Sequence, residues 1–117
     1  MAGTKVAIFA FRGETVCFAH ALLHSLDLDE KGHEVKLIVE GTATSQVQEL
    51  CDPNLPFAEL YARVKEKGLL EGVCKACSAK TGSLQSAQEQ GLRILADMSG
   101  HPSVSRYLEN GYSIITL

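Results

Sequence analysis

Cys74 and Cys77 stand at C-x-x-C spacing directly after the apolar run Leu69-Leu70-Glu71-Gly72-Val73. A strand that runs into a loop and then a helix delivers that loop to the carboxyl edge of a sheet, where open α/β proteins place their ligands. An isolated thiol has a pKa of about 8.5, and nearby cations or helix amides lower it toward the nucleophilic thiolate. Lys75 and Lys80 place positive charge beside the pair. Cys77 lies farther from the strand and nearer the expected helix start, so it is the expected nucleophile. Cys74 is then placed to form a disulfide with Cys77 once that nucleophile has reacted.

Two further residues belong to the same edge. Arg12 ends the first strand-like run and is suited to hold an anion, although an ion pair with Glu14 is the plainer reading. His101 precedes Pro102 and either caps the last helix or lines the edge; capping is the preferred reading. Cys17, His20 and His24 form a second group, within about 60° of one another on a helix. Imidazoles at i, i+4 chelate metals in some motifs, but this group reads better as a polar stripe beside an apolar face. A structural zinc needs four ligands, and one C-x-x-C supplies two. No metal and no cofactor are therefore expected. The glycines match neither a dinucleotide nor a P-loop fingerprint. A thioredoxin-type oxidoreductase is disfavoured because the motif lies late in the chain and Trp is absent.

The elements that must position these groups follow from the apolar pattern. At 117 residues, 45% hydrophobic and 21% charged, the chain fits one soluble domain spanning residues 1–117. A net charge of −3 and the lack of a basic stripe give no reason to expect nucleic acid. No run approaches the roughly 20 apolar residues of a membrane span. The opening Met-Ala-Gly-Thr-Lys leads straight into a strand, with no signal-peptide core, so a cytoplasmic location and four reduced cysteines are expected.

Lys5–Phe11, His33–Glu40 and Leu69–Val73 are short apolar runs without alternation, as in strands covered on both faces. Leu92–Met98 and Tyr112–Leu117 complete five strands. Between the first two, Glu14–Glu30 reads as a helix whose apolar face is Val16, Ala19, Leu22, Leu23 and Leu26. Thr44 or Ser45 opens a short helix carrying Val47, Leu50 and Cys51. A second follows through Phe57, Leu60, Tyr61 and Val64. Ser83 or Ser86 opens another, and Pro102 starts the last. The alternation predicts an α/β fold, a three-layer α/β/α arrangement around a mostly parallel five-stranded sheet.

In order and spacing, the opening strand, the helix closed by Lys31-Gly32-His33-Glu34-Val35, the segment Gly72–Cys77 and Gly111-Tyr112-Ser113-Ile114-Ile115 resemble the DsrE/DsrF-like family of small sulfur-relay proteins. The resemblance covers nearly the whole chain. It implies a five-stranded α/β fold, homo-oligomers (trimers or hexamers), and a loop cysteine after the third strand that accepts a persulfide. By position Cys77 matches that acceptor, with Cys74 second and placed to resolve a persulfide on Cys77 by forming a disulfide and releasing sulfide. The implied function is sulfur transfer between donor and acceptor proteins. The chain departs from members that carry one cysteine or none here. A dithiol redox protein and a non-catalytic oligomeric binding module therefore stand as alternatives.

Overall fold

The computed structural model describes residues 3–117. Met1 and Ala2, which open the segment read as lacking a signal-peptide core, lie outside the described residues. The five strands are β1 (Lys5–Ala10), β2 (Glu34–Val39), β3 (Leu70–Cys74), β4 (Ile94–Leu95) and β5 (Ser113–Thr116). They form one sheet in the order β4-β3-β2-β1-β5, and every pairing is parallel. The three longest strands, which carry the runs Lys5–Phe11, His33–Glu40 and Leu69–Val73, thus occupy the three interior positions, as expected of strands buried on both faces. The helices are α1 (Thr15–Glu30), α2 (Thr44–Glu49), α3 (Ala58–Glu66), α4 (Lys75–Thr81), α5 (Leu84–Glu89) and α6 (Val104–Glu109), with a 3-10 turn at Gly41–Ala43. Among the described residues, no helix is long and apolar enough to cross a membrane.

The two faces of the sheet are covered unequally. Val6, Ile8 and Ala10 of β1 join Val35, Leu37 and Val39 of β2 in a large core with Phe18 and Leu22 of α1, Val47 of α2, Tyr61 and Val64 of α3 and Ala87 of α5. Ala7 and Phe9 point the other way, into a smaller cluster with Ile38, Leu95, Tyr112 and Tyr107 of α6. This is the alternation of a pleated strand, hidden in the sequence because both faces are apolar. Phe9 and Tyr107 meet edge to face with ring centroids 5.6 Å apart.

The inward face of α1 differs from the expected one. Phe18, Ala19, Ala21, Leu22, Ser25 and Leu26 are buried, whereas Val16 and Leu23 are 62% and 46% exposed. The helix carries enough apolar residues for two overlapping stripes, and packing against β1, β2 and α3 selects the one centred on Phe18 and Leu22.

Two departures from the expected elements bear on the cysteines. The segment after β3 is not a loop: α4 starts at once, with Cys74 as its N-cap and Cys77 in its first turn. Ala76, Ala79, Lys75 and Lys80 are good helix formers. Cys74 Sγ accepts the Cys77 N–H at 3.4 Å, the task usually given to a Ser or Asp oxygen. The other departure is Leu92–Met98, of which only Ile94–Leu95 is strand. The chain then turns tightly through Ser99 and Gly100 (φ 50° and 90°), closed by hydrogen bonds between Met98 and His101. Positive φ at both central residues marks a type I′ turn, which Gly100 adopts without strain.

β3 carries a bulge: Leu37 pairs with Leu70 and Ile38 with Gly72, leaving Glu71 as the extra residue. Its carboxylate is buried between Lys36 (3.5 Å) and Arg93 (3.6 Å) and accepts from the Tyr107 hydroxyl at 3.0 Å. Next to it, Gly72 lets β4 approach closely. A Cβ at Gly72 would lie 2.5 Å from the Arg93 carbonyl oxygen and 2.9 Å from Leu95 Cγ. Gly72→Ala must therefore push β4 away, and about 1–3 kcal/mol of stability is the expected cost of such overpacking. Urea unfolding checks this; an unchanged midpoint would mean that β4 is not held this close.

Candidate functional site

The carboxyl ends of three adjacent strands build the site. β2 ends at Val39 and hands on Glu40, β3 ends in Cys74, and the turn after β4 presents His101. Among the described residues, Glu40, Cys74, Cys77 and His101 are the one group of three or more potential ligand side chains that converges. Their donor atoms all lie within 4.8 Å of one another. Cys74 Sγ is 3.1 Å from His101 Nδ1, and Cys77 Sγ is 3.8 Å from the same nitrogen. The geometry is held from below and above. Thr44 Oγ1 donates toward the Cys77 carbonyl at 3.3 Å and pairs with Thr81 Oγ1 at 2.8 Å, which ties α4 to α2. The Gly100 carbonyl accepts from the Ala76 N–H at 2.9 Å and from the Cys74 thiol at 3.6 Å, which docks the His101 turn onto α4.

The two thiols differ in environment. Cys74 is fully buried and Cys77 is half-buried. Burial pushes the Cys74 thiol up to about 12; the Cys77 N–H works against that shift, and the Cys77 thiol and Glu40 add to it. Cys74 is therefore a neutral thiol at physiological pH. Glu40 is 8% exposed, and burial raises its carboxyl above the usual range, offset in part by His101. Among the described residues, its carboxylate makes neither a hydrogen bond nor an ion pair with another side chain.

The sequence singles out three of these four residues, and of its two readings of His101 the structure bears out the edge rather than the preferred cap. His101 does not cap α6: Ser103 occupies that position, and His101 faces the thiols. Glu40, the last residue of the run His33–Glu40, is not among the residues the sequence singles out. The available signal was an acidic residue closing a buried strand at the ligand-binding edge. Lys75 and Lys80 are exposed on α4, outside the converging group. Arg12 also stands apart. It lines a cleft of about 490 Å³ with Phe11, Cys17, His20, Thr116 and Leu117, at the ends of β1 and β5. Glu14 does not pair with Arg12 and instead accepts from the Cys17 thiol. Cys17, His20 and His24 do not bring three donors together.

Among known proteins, the chain is 36% identical to "Uncharacterized protein MJ0733" of Methanocaldococcus jannaschii over 98 residues, which is 84% of this chain and 78% of that protein. The chain belongs to the family of that protein. Two proteins of Archaeoglobus fulgidus, each named only "Uncharacterized protein", match shorter stretches. One is 48% identical over 44 residues (38% of this chain, 72% of that protein), the other 44% identical over 34 residues (29% and 92%). No family model matches the chain, and no solved structure matches it. The names of these relatives carry no activity, so the functional argument rests on the four side chains.

Proposed function

We propose that the protein is a sulfur carrier in which Cys77 accepts a sulfur atom as a persulfide and passes it to a partner thiol. The observation that carries this reading is the unequal exposure of the thiol pair: both lie within reach of His101 Nδ1, Cys74 at 3.1 Å and Cys77 at 3.8 Å, but Cys77 is partly exposed whereas Cys74 is fully buried. His101 is positioned to take the Cys77 proton, as in other Cys–His nucleophile pairs. The Cys77 thiolate attacks the terminal sulfur of a donor persulfide, the donor's S–S bond breaks, and the donor leaves as a thiolate. Delivery reverses the step: an acceptor thiolate attacks the terminal sulfur and Cys77 departs.

The high pKa of Cys74 bears on what happens between those steps. Discharge of the persulfide by Cys74 needs a thiolate at that position, which burial disfavours. Burial of Cys74 thus works against rapid discharge of a persulfide on Cys77 by its neighbour. This favours a carrier over a dithiol redox protein, although the two residues are close enough for a disulfide after modest rearrangement. The resemblance to the DsrE/DsrF-like family points the same way, and the four cysteines are free thiols. The decisive experiment incubates the reduced, chelator-treated protein with a cysteine desulfurase and cysteine and then weighs it intact. A gain of about 32 Da, one sulfur atom taken up by thiolate exchange, is expected; no gain would remove the reading.

A carrier of this kind acts in contact with other chains, and we also expect it to associate with itself. Phe11, Val16, Leu23 and Ile115 are large, apolar and 40–62% exposed, more than a monomer gains from showing to water. Light scattering is expected to return a multiple of the 12.6 kDa chain mass, in keeping with a trimer or hexamer. A single-chain mass across micromolar concentrations would rule out association.

A further inference from the structure

We infer that Glu40, Cys74, Cys77 and His101 form a binding site for one zinc-class divalent cation, and that an ion held there masks the Cys77 thiol. The site itself stands without the sulfur-carrier reading; only the masking rests on it.

The donor set is the first argument. Two thiolates, one imidazole nitrogen and one carboxylate oxygen suit a borderline-soft ion in tetrahedral geometry. Zinc bonds of about 2.0–2.3 Å set neighbouring donors roughly 3.3–3.8 Å apart. The Cys74–His101 and Cys77–His101 separations are 3.1 and 3.8 Å, and the widest separation in the group is under 4.8 Å. Side-chain movements of about an ångström close the shell around an ion.

The second argument is independent of the cysteines. Glu40 is nearly buried, and among the described residues its carboxylate accepts no hydrogen bond and forms no ion pair with Lys or Arg; the one nearby group that favours its charge is His101. The carboxylate oxygens keep some contact with solvent, since the sealed, unpartnered side-chain oxygens among the described residues are Gln46 Oε1 and Ser78 Oγ, yet a carboxylate this far withdrawn from water is costly without a partner. Glu71 in the same sheet shows the usual solution, with Lys36 and Arg93 both beside it. Glu40 instead points into a group whose remaining members are two thiols and an imidazole. A divalent cation supplies the missing positive charge.

The third argument is rigidity. The donors come from the ends of adjacent parallel strands, and each carrier is tied down. The Glu40 N–H donates to the Ala10 carbonyl at 2.8 Å, α4 is held through Thr44, and the His101 turn is held through Gly100. Ligands on a preformed scaffold lose little entropy when an ion enters. Binding exchanges the two thiol protons for the metal, leaving two thiolates, one carboxylate and one neutral imidazole around a 2+ ion. Cys77 is then coordinated and no longer free to attack a persulfide.

The test uses the full chain, reduced and stripped with a chelator. Titration with Co(II) is expected to saturate at one ion per chain, with the visible bands of tetrahedral cobalt and a thiolate-to-cobalt charge-transfer band. Zn(II) should displace the cobalt and raise the thermal midpoint. Cys17→Ser/Cys51→Ser should leave the titration unchanged. His101→Ala and Glu40→Gln should each weaken binding tenfold or more, by analogy with the losses seen when groups supporting a metal are removed. Glu40→Gln is the cleanest arm, because it keeps the shape of the side chain and removes an unpaired charge. It should fold at least as well as wild type without metal and gain less from zinc. No saturable cobalt spectrum, or a spectrum that survives Cys74→Ser, Cys77→Ser and His101→Ala, would overturn the site. Sulfur loading of the same protein with chelator and with zinc separates the two readings. Loading with chelator and none with zinc supports masking, and loading under both conditions overturns it. Zinc binding without any loading leaves the metal site standing and removes the carrier.

Discussion

Cys77→Ser is expected to abolish sulfur uptake, while Cys74→Ser retains it. In wild type the half-buried Cys77 keeps part of its surface in solvent and lies 3.8 Å from His101 Nδ1, its expected proton acceptor. A serine hydroxyl there ionises far too weakly to attack a persulfide at neutral pH, so the mass gain of about 32 Da should vanish rather than slow. Cys74 should be the poorer nucleophile, since its thiol is fully buried and held up to about 12. The same ordering should appear with a neutral alkylating reagent, which labels Cys77 well before Cys74. Cys17→Ser and Cys51→Ser should change neither assay. If Cys74 labels first, or if Cys77→Ser still loads, the roles given to the two thiols are wrong.

Phe9→Ala should be the most destabilising of the substitutions considered. Phe9 is fully buried at the centre of the smaller core, stacked edge to face on Tyr107 and flanked by Ala7, Ile38 and Leu95. Truncating a buried phenylalanine costs about 3–5 kcal/mol, because the cavity left behind collapses only in part. A domain of this size holds roughly 5–15 kcal/mol in all, so the thermal midpoint should fall by on the order of 10 °C or more. The exposed Val16 is the control: Val16→Ala should stay within about 0.5 kcal/mol. A loss under about 1 kcal/mol at Phe9 would mean that α6 does not seal this face of the sheet.

The sheet was legible because its interior strands are short unbroken apolar runs, and their alternation with helices allows few topologies. What the pattern could not show was which residues of those runs face which layer. Val6 and Ala7 differ only in the core they enter. On α1 the same ambiguity produced an error, since Val16 and Leu23 fit the period as well as Phe18 and Ala21 do, and only the neighbouring elements decide. The site was half legible. C-x-x-C spacing is a local signal and survives in the linear chain. Glu40 and His101 lie 34 residues before and 27 residues after Cys74, and only strand order makes them neighbours. For His101 the preferred cap fails because a residue before Pro102 looks like a helix start, whereas the turn through Ser99 and Gly100 directs it back to the thiols, the other reading of the sequence.

The position of β5 has a consequence for how the chain reaches this structure. β1 is flanked by β2, about thirty residues on, and by β5, more than a hundred residues on: Val6 pairs with both Val35 and Ser113. Contacts of such separation form late, after the loop-closure entropy of nearly the whole chain has been met. During synthesis the four donors have all been made by residue 101, while β1 still has one unpaired side. For that interval the most apolar strand of the protein is an open edge, the kind of surface on which nascent chains pair wrongly with one another. Folding yield should thus depend on prompt docking of the last strand, even though that strand supplies none of the four donor side chains.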